Sequence, residues 1–439
     1  MASPTAASSS FNRLILRCLA RRASGRPYVA STRFAIPQRS SASIRLFSTG
    51  TTVDSNIVYP ASVVVVGQSS IQQQAEFPSQ SMILKQRDDD LSPEELDLKL
   101  ALQHHQGLLQ DDTSTPETSQ DMQDSLLHLR TCLESLEYWD DQLMVEQQLE
   151  WYAQSSLDLA ACIFRQGKLH MLLEDAVAAN AKYQKALELY RMEHSGQEFH
   201  ADIGNVLVAM AGVEFHRQHV DGCLQLLNQS EDHFRYHHTT TAITTTTQEP
   251  HPDLVKCLDN QGMMYRLKQD YQDALEKYQE ALQIVVAGAK DPENKRQALQ
   301  LHIADVLSSM DEIDGALEYY QTIRDEDQDP ALEGVVLHAM GVLHAQQRQL
   351  ELAEQELTRA VELKQSTAGE THPEVAKSLL ALGSVLGVSE DDQNKRRALE
   401  CFQQALMIER GHTEDENDPE ILLILRNIAV LKGEKVAKW

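Results

Sequence analysis

The residues best able to do chemistry stand in two places. His233 and His237 are one helical turn apart, with Glu231 and His238 beside them, a spacing that can hold a zinc ion through imidazole nitrogens. They border a long polar stretch, HHTTTAITTTTQEP at 237–250, and histidines in that setting read as exposed side chains. The second place is DEDQDPALEGVV at 325–336. Asp325, Asp327 and Asp329 alternate as the ligands of a calcium loop do, but Pro330 stands where such a loop needs glycine to turn. Val336 stands where it needs its bidentate glutamate, so the stretch reads as an acidic linker ahead of a helix. His104 and His105 are adjacent and cannot share one helix face. EYW at 137–139 and EWY at 150–152 read as packing anchors between helices. There is no Gly-rich phosphate loop, no Gly-x-Ser-x-Gly and no His-Glu-x-x-His. The expectation is a chain with no catalytic residues, no metal and no cofactor.

The remaining signals concern scaffolding. Five prolines stand in similar settings: HPDL at Pro252, DPEN at Pro292, DPAL at Pro330, HPEV at Pro373 and DPEI at Pro419. Proline suits the first position of a helix, an Asp or His before it caps the free amides, and the acid after it faces the positive end of the dipole. Each therefore marks a helix start, and their steps of 40, 38, 43 and 46 residues mark a repeated unit.

Residues 258–282, LDNQGMMYRLKQDYQDALEKYQEAL, show what the unit is. Gly262, Ala274 and Ala281 are small and let two antiparallel helices cross closely, while Tyr265 and Tyr278 fill the space beside the contact. A small, large, small signature spaced four and three recurs along the chain. It is Ala179, Tyr183, Ala186; a degenerate Cys223, Leu227, Ser230; Ala274, Tyr278, Ala281; Ala316, Tyr320, Ile323; Ala353, Leu357, Ala360; and Ala398, Phe402, Ala405. First helices supply the small residues Gly262, Ala304, Gly341 and Gly383, with Ala429 in an unpaired last helix. No single pair can bury its apolar stripe alone, so the units must stack.

This pattern resembles the tetratricopeptide repeat, a helix-turn-helix unit of 34 residues. Copies nearer 42 residues, joined through GETHPEVAKSLLALG, resemble the kinesin light chain subtype. The resemblance implies an all-α, right-handed superhelical solenoid over 147–433, about six repeats closed by a C-terminal capping helix. GVSEDDQNKR, in the last full copy, is expected as a longer exposed turn between its helices. The resemblance also implies a protein or peptide partner held on the concave face. In that subtype an asparagine two residues before the small residue bonds the partner's backbone; Asn260 and Asn427 occupy that place, and Ala209, His302, Ala339 and Ala381 take it elsewhere. Asp259, Met263, Asp305 and His338 complete the candidate concave-face set, Asp259 and Asp305 being expected at the surface. The Lys/Asn/Arg clamp of chaperone-tail-binding repeats is not matched, since Asp259 and Met263 stand near where it needs Lys and Asn.

The rest of the chain differs in kind. Residues 1–52 hold eight arginines with no lysine, aspartate or glutamate. Arg13, Arg17 and Arg21 share one helical stripe opposite Phe11, Leu14, Ile15, Cys18 and Leu19, the make-up of a mitochondrial import presequence. Maturation is expected near residues 47–54, in or after RLFSTG, leaving the protein in the matrix or at the inner-membrane periphery. Residues 53–90 read as a disordered Ser/Gln-rich tether, 91–146 as N-terminal helices, and 237–250 as a mobile Thr-rich loop. Ser92, Pro93 and Glu95 form a capping box that opens the first ordered helix.

Removing the eight leader arginines takes the formal net charge from −27 to −35. Such a surface repels nucleic acid and favours basic partners. No run of 18 apolar residues can span a membrane. Of the six cysteines one, Cys18, goes with the leader, and the other five fall singly in apolar runs, as small buried hydrophobes. Two function classes fit: a mitochondrial scaffold that helps hold or assemble a complex, or a cytosolic cargo adaptor of the kinesin light chain kind. The leader, and the lack of a long N-terminal heptad coiled coil, favour the first.

Overall fold

The computed structural model describes residues 91–110, 116–242, 251–288, 295–326, 329–413 and 417–433, with single positions at 83, 84, 86 and 415. The presequence, most of the tether, Pro292 and Asp327 lie outside the described residues, as do the side chains of the Thr-rich stretch. Sixteen α-helices and no strand are present among the described residues.

Helices α1 (Pro93–Gln110) and α2 (Pro116–Ser135) form a first pair, and α3 (Trp139–Leu149) follows alone with a 3₁₀ turn at Glu150–Tyr152. Six antiparallel pairs come next: α4 (Ser156–Leu172) with α5 (Ala176–Glu193), α6 (Ala201–His216) with α7 (Val220–Ala242), and α8 (Pro252–Lys268) with α9 (Tyr271–Ala287). They continue as α10 (Lys295–Ser309) with α11 (Ile313–Glu326), α12 (Pro330–Gln346) with α13 (Leu350–Ala368), and α14 (Pro373–Gly387) with α15 (Asp392–His412). Helix α16 (Pro419–Leu431) is the last described helix and packs on α15. Each pair packs on the next, and the core runs along the chain as a series of linked clusters.

Helix starts follow the proline signal. His251, Asp329, His372 and Asp418 each accept from the amide two residues on, at 2.9–3.2 Å, with proline in the first turn. His200 caps α6 in the same way without a proline. The Ser92–Glu95 capping box is formed in both directions, at 2.9 and 3.2 Å.

Helix ends carry a device that the residue types conceal. Glu174, Gln218, Gln269, Asp311 and Arg348 all have φ between 62° and 68°. Each is the left-handed residue of a Schellman turn: its own amide bonds three residues back, and the next amide bonds five back, as in Asp270 N–H to Tyr265 O at 3.0 Å. The five turns join the helices of the first five repeats; Glu137 makes the same turn between α2 and α3.

The sixth repeat departs, and it corrects the expected long turn at GVSEDDQNKR. Only residues 388–391 lie between α14 and α15, and Asp391 accepts from Asn394 N–H at 3.2 Å to start α15 there. The additional residues lengthen the second helix instead, because DQNKR contains no breaker and follows a capping aspartate. The tether boundary also shifts. Ile83, placed in the tether, is fully buried with Leu98, Leu102 and Leu126 in the first core.

Within pairs the small–large contact is close. A Cβ on Gly262 would lie 2.6 Å from the Tyr278 ring, and one on Gly383 would lie 2.7 Å from Phe402. Gly167, which the signature did not include, is set the same way against Tyr183 at 2.5 Å, and Gly341 meets Leu357 at 2.7 Å. Ala274, Ala281, Ala353, Ala360, Ala398 and Ala405 are buried on the second helices, and Tyr265 is half-buried against the same core.

Candidate interaction surface

Stacking places consecutive first helices side by side, and their polar side chains bridge across. Asn205 of α6 donates to Asp253 of α8 at 3.3 Å. The His302 imidazole of α10 donates to Asp259 of α8 at 2.9 Å, and its ring lies 5.0 Å from that of Tyr278. Arg266 of α8 reaches Asp305 of α10 at 3.3 Å. His338 Nδ1 of α12 lies 3.0 Å from Ser378 Oγ of α14. These pairs, 39–48 residues apart in sequence, form a polar stripe along the first helices.

The candidate residues take different places in the stripe. Asn260 is only 5% exposed, so its amide is not on the open surface. Met263 is half-buried against the core. Asp259 and Asp305 are partly exposed, at 24% and 46% of their side chains, and both are paired. Asp259 is engaged by His302, and Asp305 accepts from both Arg266 and the Tyr320 hydroxyl, the latter at 2.7 Å. His302 and Arg266 reach across from the neighbouring helix pair and Tyr320 from the facing helix of the same pair, so local sequence gave no sign of these contacts. Asn427 is half-exposed on α16. His338 is held down to about 4, first by burial and then by the Lys364 and Lys377 cations, so it is a neutral hydrogen-bonding group at physiological pH.

Two cations missed in the sequence belong to the same face. Arg165 stands two residues before Gly167, in the place that Asn260 holds in the third repeat. Its Nε donates to Glu146 at 2.8 Å; burial raises the Glu146 carboxyl in spite of Arg165 and Arg130. Lys168 Nζ lies 4.4 Å over the Phe164 ring. Burial lowers the ammonium to about 8, partly offset by the attraction of Asp253 from α8. The first-helix face is thus mixed in charge, where net charge alone suggested an acidic one. Recognising Gly167 as a repeat position would have revealed both.

The second helices carry another network. Glu231 accepts from Gln261 at 2.7 Å, from Arg235 and from Lys277. Burial pushes its carboxyl up, but these donors outweigh it and hold the group below its usual range. Glu231 is therefore committed, and His233 Nδ1 accepts the His200 amide at 3.0 Å. Neither is poised for the zinc site considered with His237 and His238, whose side chains lie outside the described residues. Asp329 caps α12 and Asp325 accepts from Gln321, so these two aspartates serve local structure.

Among the described residues, metal-ligating atoms approach within 4.8 Å in two places that the sequence did not single out: His194, His200 and Asp202, and Asp97, His128 and Cys132. In the first, the imidazoles stack at 3.5 Å beside the shared carboxylate. His200 is already the cap of α6, and the stack resembles that of cap His251 on Phe234. In the second, Cys132 and His128 both hydrogen-bond Asp97. No helix among the described residues is long and apolar enough to cross a membrane.

The sequence pattern of the tetratricopeptide repeat matches residues 255–285, which span α8 and α9 up to Val285. No curated protein sequence matches the chain. Among solved structures, a signal transduction ATPase with a tetratricopeptide repeat sensor from Pyrococcus horikoshii is 12% identical with a TM-score of 0.51. The match covers 80% of this chain and 51% of that one. The apo form of the quorum sensor NprR from B. thuringiensis is 12% identical, with a TM-score of 0.45 over 72% of this chain and 94% of that one. BtubC (BKLC) from P. vanneervenii is 20% identical, with a TM-score of 0.40 over 48% and 83%. Together with the stacked helix pairs, the matched repeat identifies the chain as a helical-repeat protein with the fold of a tetratricopeptide solenoid.

Proposed function

We propose that the protein is a non-enzymatic scaffold that binds a partner protein along the concave face made by its first helices, inside mitochondria after loss of the leader. The stripe of side chains that passes from first helix to first helix carries this reading. It offers a continuous, chemically varied surface backed by a rigid core, the arrangement by which solenoids hold extended partners. The acid-free, Arg-rich residues 1–52 support the location, and the acidic remainder of the chain supports a partner with Lys and Arg on its surface.

Ala339 and Ala381 occupy the asparagine place on α12 and α14 and are half-buried. Arginine at both positions projects two bulky cations into the path of a basic partner. Recovery of tagged full-length protein from mitochondria should return a reproducible partner, and Ala339→Arg with Ala381→Arg should lose it without lowering the melting temperature. Retention of the partner by the double variant overturns the concave-face assignment. A reporter fused to residues 1–52 that stays in the cytosol overturns the location.

A further inference from the structure

Helices α1 and α2 close on one another through Leu98, Ala101 and Leu102 of the first and Leu126, Leu129 and Leu133 of the second, all buried. Three polar residues stand at the rim of that seam: Asp97 precedes Leu98, and His128 and Cys132 precede Leu129 and Leu133. A spacing of four puts His128 and Cys132 one turn apart on a single helix face. Packing sets the Asp97 carboxylate opposite both. One oxygen, Asp97 Oδ2, lies 3.4 Å from His128 Nε2 and 3.4 Å from Cys132 Sγ. All three atoms fall within 4.8 Å of one another.

The nitrogen–oxygen separation is long for a hydrogen bond, which prefers about 2.9 Å. It matches the edge of a coordination tetrahedron. With bonds of about 2.0 Å from zinc to oxygen and nitrogen and about 2.3 Å to sulfur, tetrahedral angles set oxygen roughly 3.3 Å from nitrogen and roughly 3.5 Å from sulfur. The cluster of His194, His200 and Asp202 lacks this geometry. Its imidazoles lie face to face, 3.5 Å apart with planes at 14°, and rings so stacked cannot both aim an in-plane lone pair at one ion. His200 Nδ1 also accepts the α6 amide.

We propose that Asp97, His128 and Cys132 form a zinc site that staples α1 to α2, with water as the fourth ligand. Asp97 and His128 are 58% and 51% exposed, so the ion enters from solvent and its fourth position faces water, while Cys132 is buried beneath. A set of one sulfur, one nitrogen and one oxygen suits zinc, whereas calcium and magnesium take oxygen. Carboxylate and thiolate together neutralise the two positive charges. Without the ion, burial and then Asp97 push the Cys132 thiol up to about 12, and the group is a neutral S–H. On binding, that S–H bond breaks, its proton leaves to solvent, and the sulfur electron pair forms the bond to zinc. The ion thereby ties residues 31 and 35 positions apart, ahead of the repeats. The site lies away from the concave stripe, so the two readings stand or fall independently.

The test uses untagged full-length protein, stripped with a chelator and titrated with cobalt(II), which takes tetrahedral zinc sites and reports them by colour. One equivalent should give the visible bands of a tetrahedral ion and a thiolate-to-cobalt charge-transfer band in the near ultraviolet. Zinc should erase both. Cys132→Ser should abolish the charge-transfer band while circular dichroism shows its helix content kept. Asp97→Asn and His128→Ala change exposed positions, so folding is not at issue. Each should weaken cobalt binding by at least the about tenfold that loss of even an outer-shell partner costs. Absence of the charge-transfer band from the parent overturns the proposal. A band that survives Cys132→Ser overturns it too, because another cysteine then holds the ion. Unchanged affinity in both Asp97→Asn and His128→Ala has the same force. Visible bands without charge transfer assign the ion to a cluster that has no thiol, such as His194, His200 and Asp202, and overturn the site at Cys132.

Discussion

The third and fourth repeats, α8/α9 and α10/α11, share a signature and differ in what they do with it. Both set a tyrosine sixteen residues after the small residue, Tyr278 after Gly262 and Tyr320 after Ala304. Both rings are buried. Tyr320 donates its hydroxyl to Asp305, whereas the Tyr278 hydroxyl is buried with no hydrogen-bond partner among the described residues. Gly262 admits its ring where a Cβ would lie at 2.6 Å, and the fourth repeat has a Cβ at the equivalent place in Ala304. The signature thus sets the shape of the crossing, and the polar chemistry around the ring is chosen separately in each copy.

Four substitutions sharpen that contrast. Gly262→Leu should have the largest effect, about 3 kcal/mol or more, because the ring beneath it cannot move away without displacing α9 from α8. Thermal unfolding measures it, and an unchanged melting temperature would sink the close-crossing account. Asp305→Lys should cost about 2 kcal/mol: it removes the acceptor of a buried hydroxyl and sets a cation against Arg266. A neutral result by denaturant titration would show that Asp305 behaves as an ordinary surface acid. Tyr320→Phe should cost about 1 kcal/mol, the net value of one hydrogen bond. Tyr278→Phe should lie within about 0.5 kcal/mol of the parent or be slightly stabilising, since no bond is lost and a buried polar atom is removed. Equal costs for the two Tyr→Phe changes would erase the distinction between the repeats.

What could be read from the sequence was what local spacing determines. The prolines with their capping His or Asp mark four first-helix starts, and the four-then-three signature follows the side-chain ladder of a helix. Three kinds of feature escaped. Gly167 lay in an apolar run, LDLAACIFRQGKLHML, that gave its glycine no local distinction. The left-handed turn positions are occupied by Glu, Gln, Asp and Arg, types that do not announce positive φ. The stripe pairs join residues about forty apart, and only the stacking geometry chooses them. Asn260 shows the limit of a family position: its place in the repeat is the one recognised, yet the packing of neighbouring helices covers it.

The burial of the cysteines makes the array a record of its own opening. Cys132, Cys162, Cys223 and Cys257 are buried in α2, α4, α7 and α8, and Cys401 is half-buried in α15. Burial above all pushes their thiols up, Cys132 and Cys223 to about 12, so hardly any reactive thiolate forms while the helices stay packed. Alkylation then waits on local unfolding, and its rate at each position reports how often that pair of helices parts. Because each repeat is held only by its neighbours, labelling should begin at the half-buried Cys401 and reach the fully buried Cys257, in mid-array, last. Mass spectrometry of timed alkylation would turn five unremarkable side chains into a map of where the solenoid frays.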